Sequence, residues 1–402
     1  MLSKKEIEAE EADYVFRKLD KPRKRHHLLD KAKQYLFPAG KKPRRRSRKK
    51  HHHKGKKMPL WLKIVLIVVS VLLALALILA STYFILREIG RGKMHDYDNI
   101  DIVSPTTQEA DDMIEVIDSG RTIYYQGKKY LFNEDVVCIC VVGVDQDISN
   151  DYVRSMGDAV NLIAFDTSSG KLSVIGVSRD TVADVVAYTQ DGKLLDTSLR
   201  QITYAYSFGN NKVSGGENTA MSLSKLFFGL PVNHYFAINM QALRSLNDAI
   251  GGVTLTTSTD FYSPIYQRTI WAGETITLYG RDADTYVRTR DTDRLDSNND
   301  RMQRQQEYIR AFLSQVIPAV KKDLSLVTDL YGIIEANSDS NLDLPKIVYL
   351  ASELASKTES VSGISYLSIA GEVVRGENRA EFHADDTSIL ETMLEVFYTL
   401  SK

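Results

Sequence analysis

A run of 23 residues without a charge, Ile64 to Leu86, constrains this 402-residue chain more than any other feature. As a helix it would be about 34 Å long, enough to cross a hydrocarbon core of roughly 30 Å. Pro59, Trp61 and Lys63 stand at its entrance, Tyr83 and Arg87 at its exit. A signal peptide has a shorter apolar region, lies nearer the terminus and ends in a cleavage site. None of these is evident, so a permanent single membrane span is expected over residues 60–87. Charge divides sharply about it. Residues 1–58 hold 21 Lys and Arg against 7 Asp and Glu, and the acidic remainder brings the total to −1. The basic flank predicts a cytoplasmic N-terminus, with everything after Arg87 outside. The tail shows no apolar periodicity and is expected to be largely disordered, with a short helix possible over Glu6–Leu19. Its basic tracts suit anionic lipid headgroups, and no nucleic-acid partner is expected.

Residues 88–120 are polar and are expected to form a stalk, leaving 121–402 as one folded domain. Arg121–Phe132 predicts a hairpin around Gln126-Gly127. Val136–Val142 (VVCICVV) is an apolar run of buried-strand length, followed by Gly143-Val144-Asp145. Cys138 and Cys140 lie too close on one strand for a disulfide and are expected to be buried thiols. Further strands are expected at Asn161–Phe165, Leu172–Val177, His234–Ile238 and Val253–Thr256. Helices are expected at Glu217–Phe228, Met240–Ile250, Arg301–Val320, Leu344–Lys357 and Ser388–Leu400, the third kinked near Pro318. Alternation of this kind predicts an α/β domain with a central mixed β-sheet flanked by helices.

The stretch Tyr286–Gln306 (YVRTRDTDRLDSNNDRMQRQQ) carries Arg288, Arg290, Arg294, Arg301 and Arg304, and from Arg288 to Asp300 only Leu295 is strongly apolar. Arg288 and Arg290, two apart, would project to the same side of an extended segment. Arg301, Arg304, Gln305 and Tyr308 would share a helix face. Guanidiniums this close repel one another unless a polyanion or several carboxylates lie between them, and their forked donors suit phosphate oxygens. Asp145 ends a buried strand and Asp158 precedes the next, positions from which acids line a crevice at a sheet edge. Arg179 follows the strand ending at Val177. Acids and arginines together suggest a cation shared with a phosphate, and magnesium favours a few carboxylates plus phosphate oxygens.

The ordered motifs GVD (Gly143–Asp145), GD (Gly157-Asp158), SRDT (Ser178–Thr181), QITYAYSFG (Gln201–Gly209), LPVNHYFAINMQALRSLNDAIGGV (Leu230–Val253) and YVRTR…RMQRQQ resemble the LytR-CpsA-Psr domain over roughly Val136–Leu313. That resemblance implies a membrane-anchored phosphotransferase. It would move an anionic glycopolymer, of teichoic acid or capsular polysaccharide type, from an undecaprenyl-pyrophosphate carrier to peptidoglycan. It further implies Mg2+ held by Asp145 and Asp158, and a pyrophosphate held by Arg179, Arg288, Arg290, Arg301 and Gln305. Tyr206 is a further candidate contact to phosphate or sugar, and His234 is expected to be structural. The sequence departs from the family pattern at Met156, where an arginine is usual, and at Asn298, where the family's proposed base stands. Asp296 or Asp300 then serves as base, or none is used. An apolar tunnel for the polyprenyl tail is expected between the sheet and the Glu217–Phe228 helix. Two competing readings are a polyprenyl-pyrophosphate hydrolase and a non-catalytic regulator that binds polyprenyl lipid or glycan.

Overall fold

Leu60–Met94 is one uninterrupted helix (α1) of 35 residues, about 52 Å long, in a computed structural model that describes residues 60–97, 100–104, 114–145, 155–189, 191–210, 212–289, 297–357, 364–376 and 379–401. From Ile67 to Ile85 its apolar side chains face outward all round, with Leu77 63 % and Ile78 62 % exposed. Such a surface suits lipid and not water. The helix runs on past the apolar stretch, and at Gly90 and Met94 it becomes buried. The basic tail, including the possible Glu6–Leu19 helix, lies outside the described residues.

The expected 88–120 stalk is not a free linker. Tyr97, Ile100, Ile102 and Ile114 are buried in the main core, and β1 (Ile114–Ile117) pairs with β2 (Thr122–Tyr125). Their apolar side chains are spaced too irregularly to announce an element, yet each fills a place in the core. The predicted hairpin is β2 and β3 (Lys128–Phe132), with Gln126 and Gly127 at φ 50° and 73° as a two-residue primed turn requires.

β4 (Val136–Val144), β5 (Gly157–Asp166) and β6 (Leu172–Val177) form an antiparallel meander, followed by the hairpin β7 (Val182–Tyr188) and β8 (Leu194–Gln201). A short helix α2 (Thr203–Ser207) leads to α3 (Gly215–Leu226), capped by Ser214, whose side chain accepts from the Glu217 amide at 3.1 Å. Then come β9 (His234–Asn239), α4 (Met240–Ala249), the strand pairs β10 (Val253–Thr256) with β13 (Thr275–Leu278) and β11 (Phe261–Ser263) with β12 (Arg268–Ile270), and α5 (Arg281–Arg288). The remainder is α6 (Ser297–Lys322), α7 (Ser325–Asn337), β14 (Ser338–Ser340), α8 (Leu344–Lys357), β15 (Ile364–Ser368), the hairpin β16 (Gly371–Arg375) and β17 (Ala380–Ala384), α9 (Asp386–Phe397) and β18 (Tyr398–Leu400). α6 starts four residues before the expected Arg301 and continues through Pro318. The expected Ser388–Leu400 helix stops at Phe397, because Tyr398–Leu400 pairs with β3 instead.

The central sheet is mixed, in the order β14-β9-β4-β5-β6-β15, with β9 parallel to β4 and β15 parallel to β6. Both faces are covered, which explains the unbroken apolar run of β4. Cys138, Cys140 and Val142 face one side, packing with Leu162, with Ala220 and Leu223 of α3, and with Ile389 and Met393 of α9. Both cysteines are free and buried, as expected. Val141 and Gly143 face the other side, toward α6. α3 therefore lies across the sheet from α6, so it cannot line the expected tunnel with the α6-facing surface.

Candidate functional site

The site begins with an irregularity. Gly143 pairs with Ala159 and Val144 with Gly157, leaving Asp158 as an extra residue in a β-bulge. Strict alternation would turn Asp158 with Val160 and Leu162 into the core. The bulge instead lets it line a cavity together with Asp145, just beyond the end of β4. Asp145 Oδ1 accepts from the Met156 amide at 3.2 Å, which ties the two strand ends together.

Arg179 sits in the turn after β6, 9 % exposed, and makes an ion pair with Asp158. Its Nε lies 3.7 Å from Asp180 and its Nη2 4.0 Å from the Met156 sulfur. Arg301 and Gln305 approach the cavity from α6, and Arg288 approaches from the C-terminal end of α5. Arg288 is therefore helical and not in the extended segment expected. It is half exposed and lies 3.6 Å from Asp284, which also pairs with Arg244. The Gln305 amide donates to the Val287 carbonyl at 3.1 Å, fastening α6 to α5. Arg301 is 4 % exposed, so its charge is held in a poorly solvated place where an anion gains most from it.

Behind this polar mouth lies a cavity of about 250 Å³ lined by Val141, Ile163, Phe236, Leu243, Ile309 and Phe312, among others. Its wall is apolar apart from Asn161, while its rim carries two carboxylates, two guanidiniums and the Gln305 amide. Phe236 also lines a second apolar cavity of about 250 Å³, bounded by α6, α7 and α8. A molecule with a charged head and a hydrocarbon tail matches this division.

The LytR_cpsA_psr family model matches residues 102–395. The chain belongs to the LytR_cpsA_psr family. Among curated relatives, the polyisoprenyl-teichoic acid–peptidoglycan teichoic acid transferase TagU of Oceanobacillus iheyensis is 26% identical over 341 residues, covering 81% of this chain and 93% of the relative. The TagU of Halalkalibacterium halodurans is 27% identical over 250 residues, covering 61% and 73%. Among solved structures, a Streptococcus agalactiae protein aligns with TM-score 0.53 at 20% identity over 67% of this chain and 90% of its own. B. subtilis TagV aligns with TM-score 0.50 at 20% identity, covering 65% and 96%. These two structures share the fold.

In this member of the LytR_cpsA_psr family, Asp145, Asp158, Arg288, Arg301 and Gln305 converge on one cavity, with Arg179 joined to it through Asp158. Arg290, Arg294 and Asp296 lie outside the described residues, as does the side chain of Asn298. Asp300 stands half-buried in the first turn of α6, beside Arg301 but not among the lining residues. Tyr206, on α2, packs against the core on the α3 side of the sheet and does not line the cavity. Arg304 turns away from the mouth. It is 4 % exposed and donates to the Tyr286 carbonyl at 3.0 Å, to Thr259 Oγ1 at 3.0 Å and to the Thr289 carbonyl. It is therefore not solvated, and among the described residues it makes no ion pair with an acid.

His234 is 4 % exposed, with Nε2 3.0 Å from the Met94 carbonyl and Nδ1 3.4 Å from Lys346 Nζ. An ammonium only donates, so Nδ1 accepts and Nε2–H donates to Met94. Burial, with the Lys346 charge beside it, pulls its pKa from the ordinary 6.5 down to about 4. His234 is thus neutral and structural.

Sequence reasoning missed Asn161, 5 % exposed on the cavity wall, and the aliphatic side chains of α4 and α6 that complete it. As for a metal, no group of three or more His, Cys, Asp or Glu side chains is poised around a common point among the described residues. Asp145 and Asp158 offer hard oxygen donors at one mouth, which fits a cation that completes its shell with phosphate oxygens and water.

Proposed function

We propose that this protein is a membrane-anchored phosphotransferase that moves an anionic glycopolymer from a polyprenyl-pyrophosphate carrier to peptidoglycan, with its catalytic domain outside the cytoplasm. The observation that carries this reading is the cavity itself, apolar along its length and rimmed by Arg288, Arg301, Asp145 and Asp158. The names of the TagU relatives, which pair polyisoprenyl-teichoic acid with peptidoglycan, support a lipid-linked donor and a peptidoglycan acceptor. The exposed apolar α1 and the basic tail before it support a single span with the tail on the cytoplasmic side.

In this reading the tail occupies the apolar cavity and the pyrophosphate lies at the mouth. A sugar hydroxyl of the acceptor attacks the phosphorus attached to the polymer. An oxygen–phosphorus bond forms, the bridge to the second phosphorus breaks, and polyprenyl phosphate leaves. Arg301, Arg288 and Arg179 neutralise charge on the nonbridging oxygens, the dominant contribution in phosphoryl transfer. Arg290, adjacent in sequence to the same rim, is assigned the same task. Asp145 and Asp158 would hold Mg2+, which supplies further charge neutralisation when bound. The hydroxyl proton passes to Asp296 or Asp300, or directly to solvent.

The test reconstitutes the full chain with lipid-linked polymer and peptidoglycan. Arg301→Gln should lower attachment by about 10²–10³-fold while leaving the melting profile unchanged, and chelation of divalent ions should lower it until Mg2+ is returned. Unaltered attachment in Arg301→Gln removes the reading. Release of phosphate-ended polymer, with or without acceptor, replaces it with a hydrolase.

A further inference from the structure

The catalytic scheme leaves a buried carboxylate unused. Glu353, on α8, is 3 % exposed and holds two cations, Arg87 of α1 and Lys357 at 3.0 Å. Arg87 is the first charged residue after the apolar run. From there to Met94 the same helix is fastened to the domain at several points. Gly90 lies so close to α8 that a Cβ would collide with the Pro345 carbonyl and press on Tyr349. Met94 is 1 % exposed and packs with Val137 of β4 and Tyr349 of α8. Its carbonyl accepts from His234, and Lys93 pairs with Asp343. Just past the helix, His95 bonds Tyr349 Oη at 2.8 Å and the Glu134 carbonyl at 2.9 Å.

α8 therefore presents one side, Pro345, Tyr349 and Glu353, to the end of the span. Its other side, Ile347, Leu350 and Leu354, lines the second apolar cavity. The docked stretch rises only about 11 Å from Arg87 to Met94, comparable with the roughly 5–8 Å headgroup layer on each side of a bilayer. A flexible tether would need none of these contacts.

We propose that Gly90 and Glu353 are positioning residues. By locking the span onto α8, they hold the tail cavity at a fixed height and angle over the bilayer, so that a membrane-embedded polyprenyl carrier is delivered in register with the arginine rim. This rests on the transferase reading given above. The contacts themselves do not depend on that reading.

Two measurements separate them. Gly90→Leu wedges α1 from α8 without touching the mouth, and Glu353→Gln keeps the shape but removes the charge. Each variant and the wild-type full chain is assayed with a long-chain carrier in phospholipid vesicles and with a short-chain, water-soluble carrier analogue. Both variants should lose about 10- to 100-fold on the vesicle substrate and stay within about twofold of wild type on the soluble one. Equal activity of Gly90→Leu and wild type on the vesicle substrate overturns the proposal. Equal losses on both substrates also overturn it, because the contacts would then be merely structural. Docking is read without turnover by joining Lys93→Cys to Asp343→Cys with a short bis-maleimide in vesicles. Burial raises the thiol pKa of Cys138 and Cys140 and keeps them out of this reaction. Efficient joining that Gly90→Leu abolishes supports the clamp, and failure to join in the otherwise native chain overturns it. A wild-type protein inactive on both carriers, with the Lys93→Cys, Asp343→Cys chain still joined, removes the transferase reading and leaves the clamp standing.

Discussion

Arg301 and Arg304 lie one turn apart on α6 and serve opposite ends. Arg301 faces the cavity, whereas Arg304 spends its donors on Tyr286, Thr259 and Thr289 and so welds the end of α5 to α6. Burial lowers the pKa of Arg304, yet at neutral pH it remains charged, and hydrogen bonds from a charged donor are the stronger kind. Arg304→Ala should therefore cost about 2–4 kcal/mol in folding stability, read by chemical denaturation. A change below about 0.5 kcal/mol would contradict the weld. His234 gives a pH prediction. Its folded pKa is depressed from 6.5 to about 4, so its contribution is intact above pH 6.5. Below that the unfolded chain binds a proton that the folded chain refuses, and stability falls by about 3 kcal/mol across the window to pH 4. The groups facing it are Lys346 and His95, which disfavour its charge, and Asp96, which favours it. His234→Gln should flatten this part of a melting-temperature profile in detergent. An unchanged acid slope would assign the loss to other groups.

At the scale of elements, legibility followed periodicity. Leu172–Val177, Val253–Thr256 and Leu344–Lys357 have the boundaries that their patterns predict. α1 and β4 were plain because one is apolar all round and the other is covered on both faces. The hairpins β7–β8 and β16–β17 escaped notice because their strands lack clean alternation: β7 buries Val185, Val186 and Ala187 in succession, whereas Leu194, Leu195 and Leu199 of β8 are all solvent-facing. α5 escaped because a helix of eight residues rich in Arg and Asp reads as a loop. The acids and arginines of the site were legible as a set, since charged groups this dense need a common partner. The cavity wall was not, because Ile163, Phe236 and Phe312 are ordinary core residues until the space between them is seen. Filling that space tests its role. Ile309→Trp should raise the KM for a long-tailed donor by about tenfold or more with little change for a tailless pyrophosphate analogue, and an unmoved KM would place the tail elsewhere.

At the scale of the whole molecule, the span and the domain are joined by packing as well as by chain. A chain starting at Arg87 should fold, whereas one starting at Ile100 loses Met94 and Tyr97, both buried, and with them the Tyr97 hydrogen bond to the Val136 carbonyl. The shorter form should be less stable by about 3–5 kcal/mol, measured by urea unfolding of the two forms, and equal midpoints would show that the junction packs weakly. The pairing of β18 with β3 has a different kind of consequence. Tyr398 sits opposite Phe132, 266 residues earlier, in a sheet whose other strands are all made by Phe132. Until the ribosome has delivered Tyr398–Leu400, β3 keeps an open edge, the state most prone to pairing with a neighbour's strand. Closure over so long a loop is also intrinsically slow. Newly made copies held side by side in one membrane thus pass through a sticky interval, whose length is set by translation and loop closure, before each domain can complete itself.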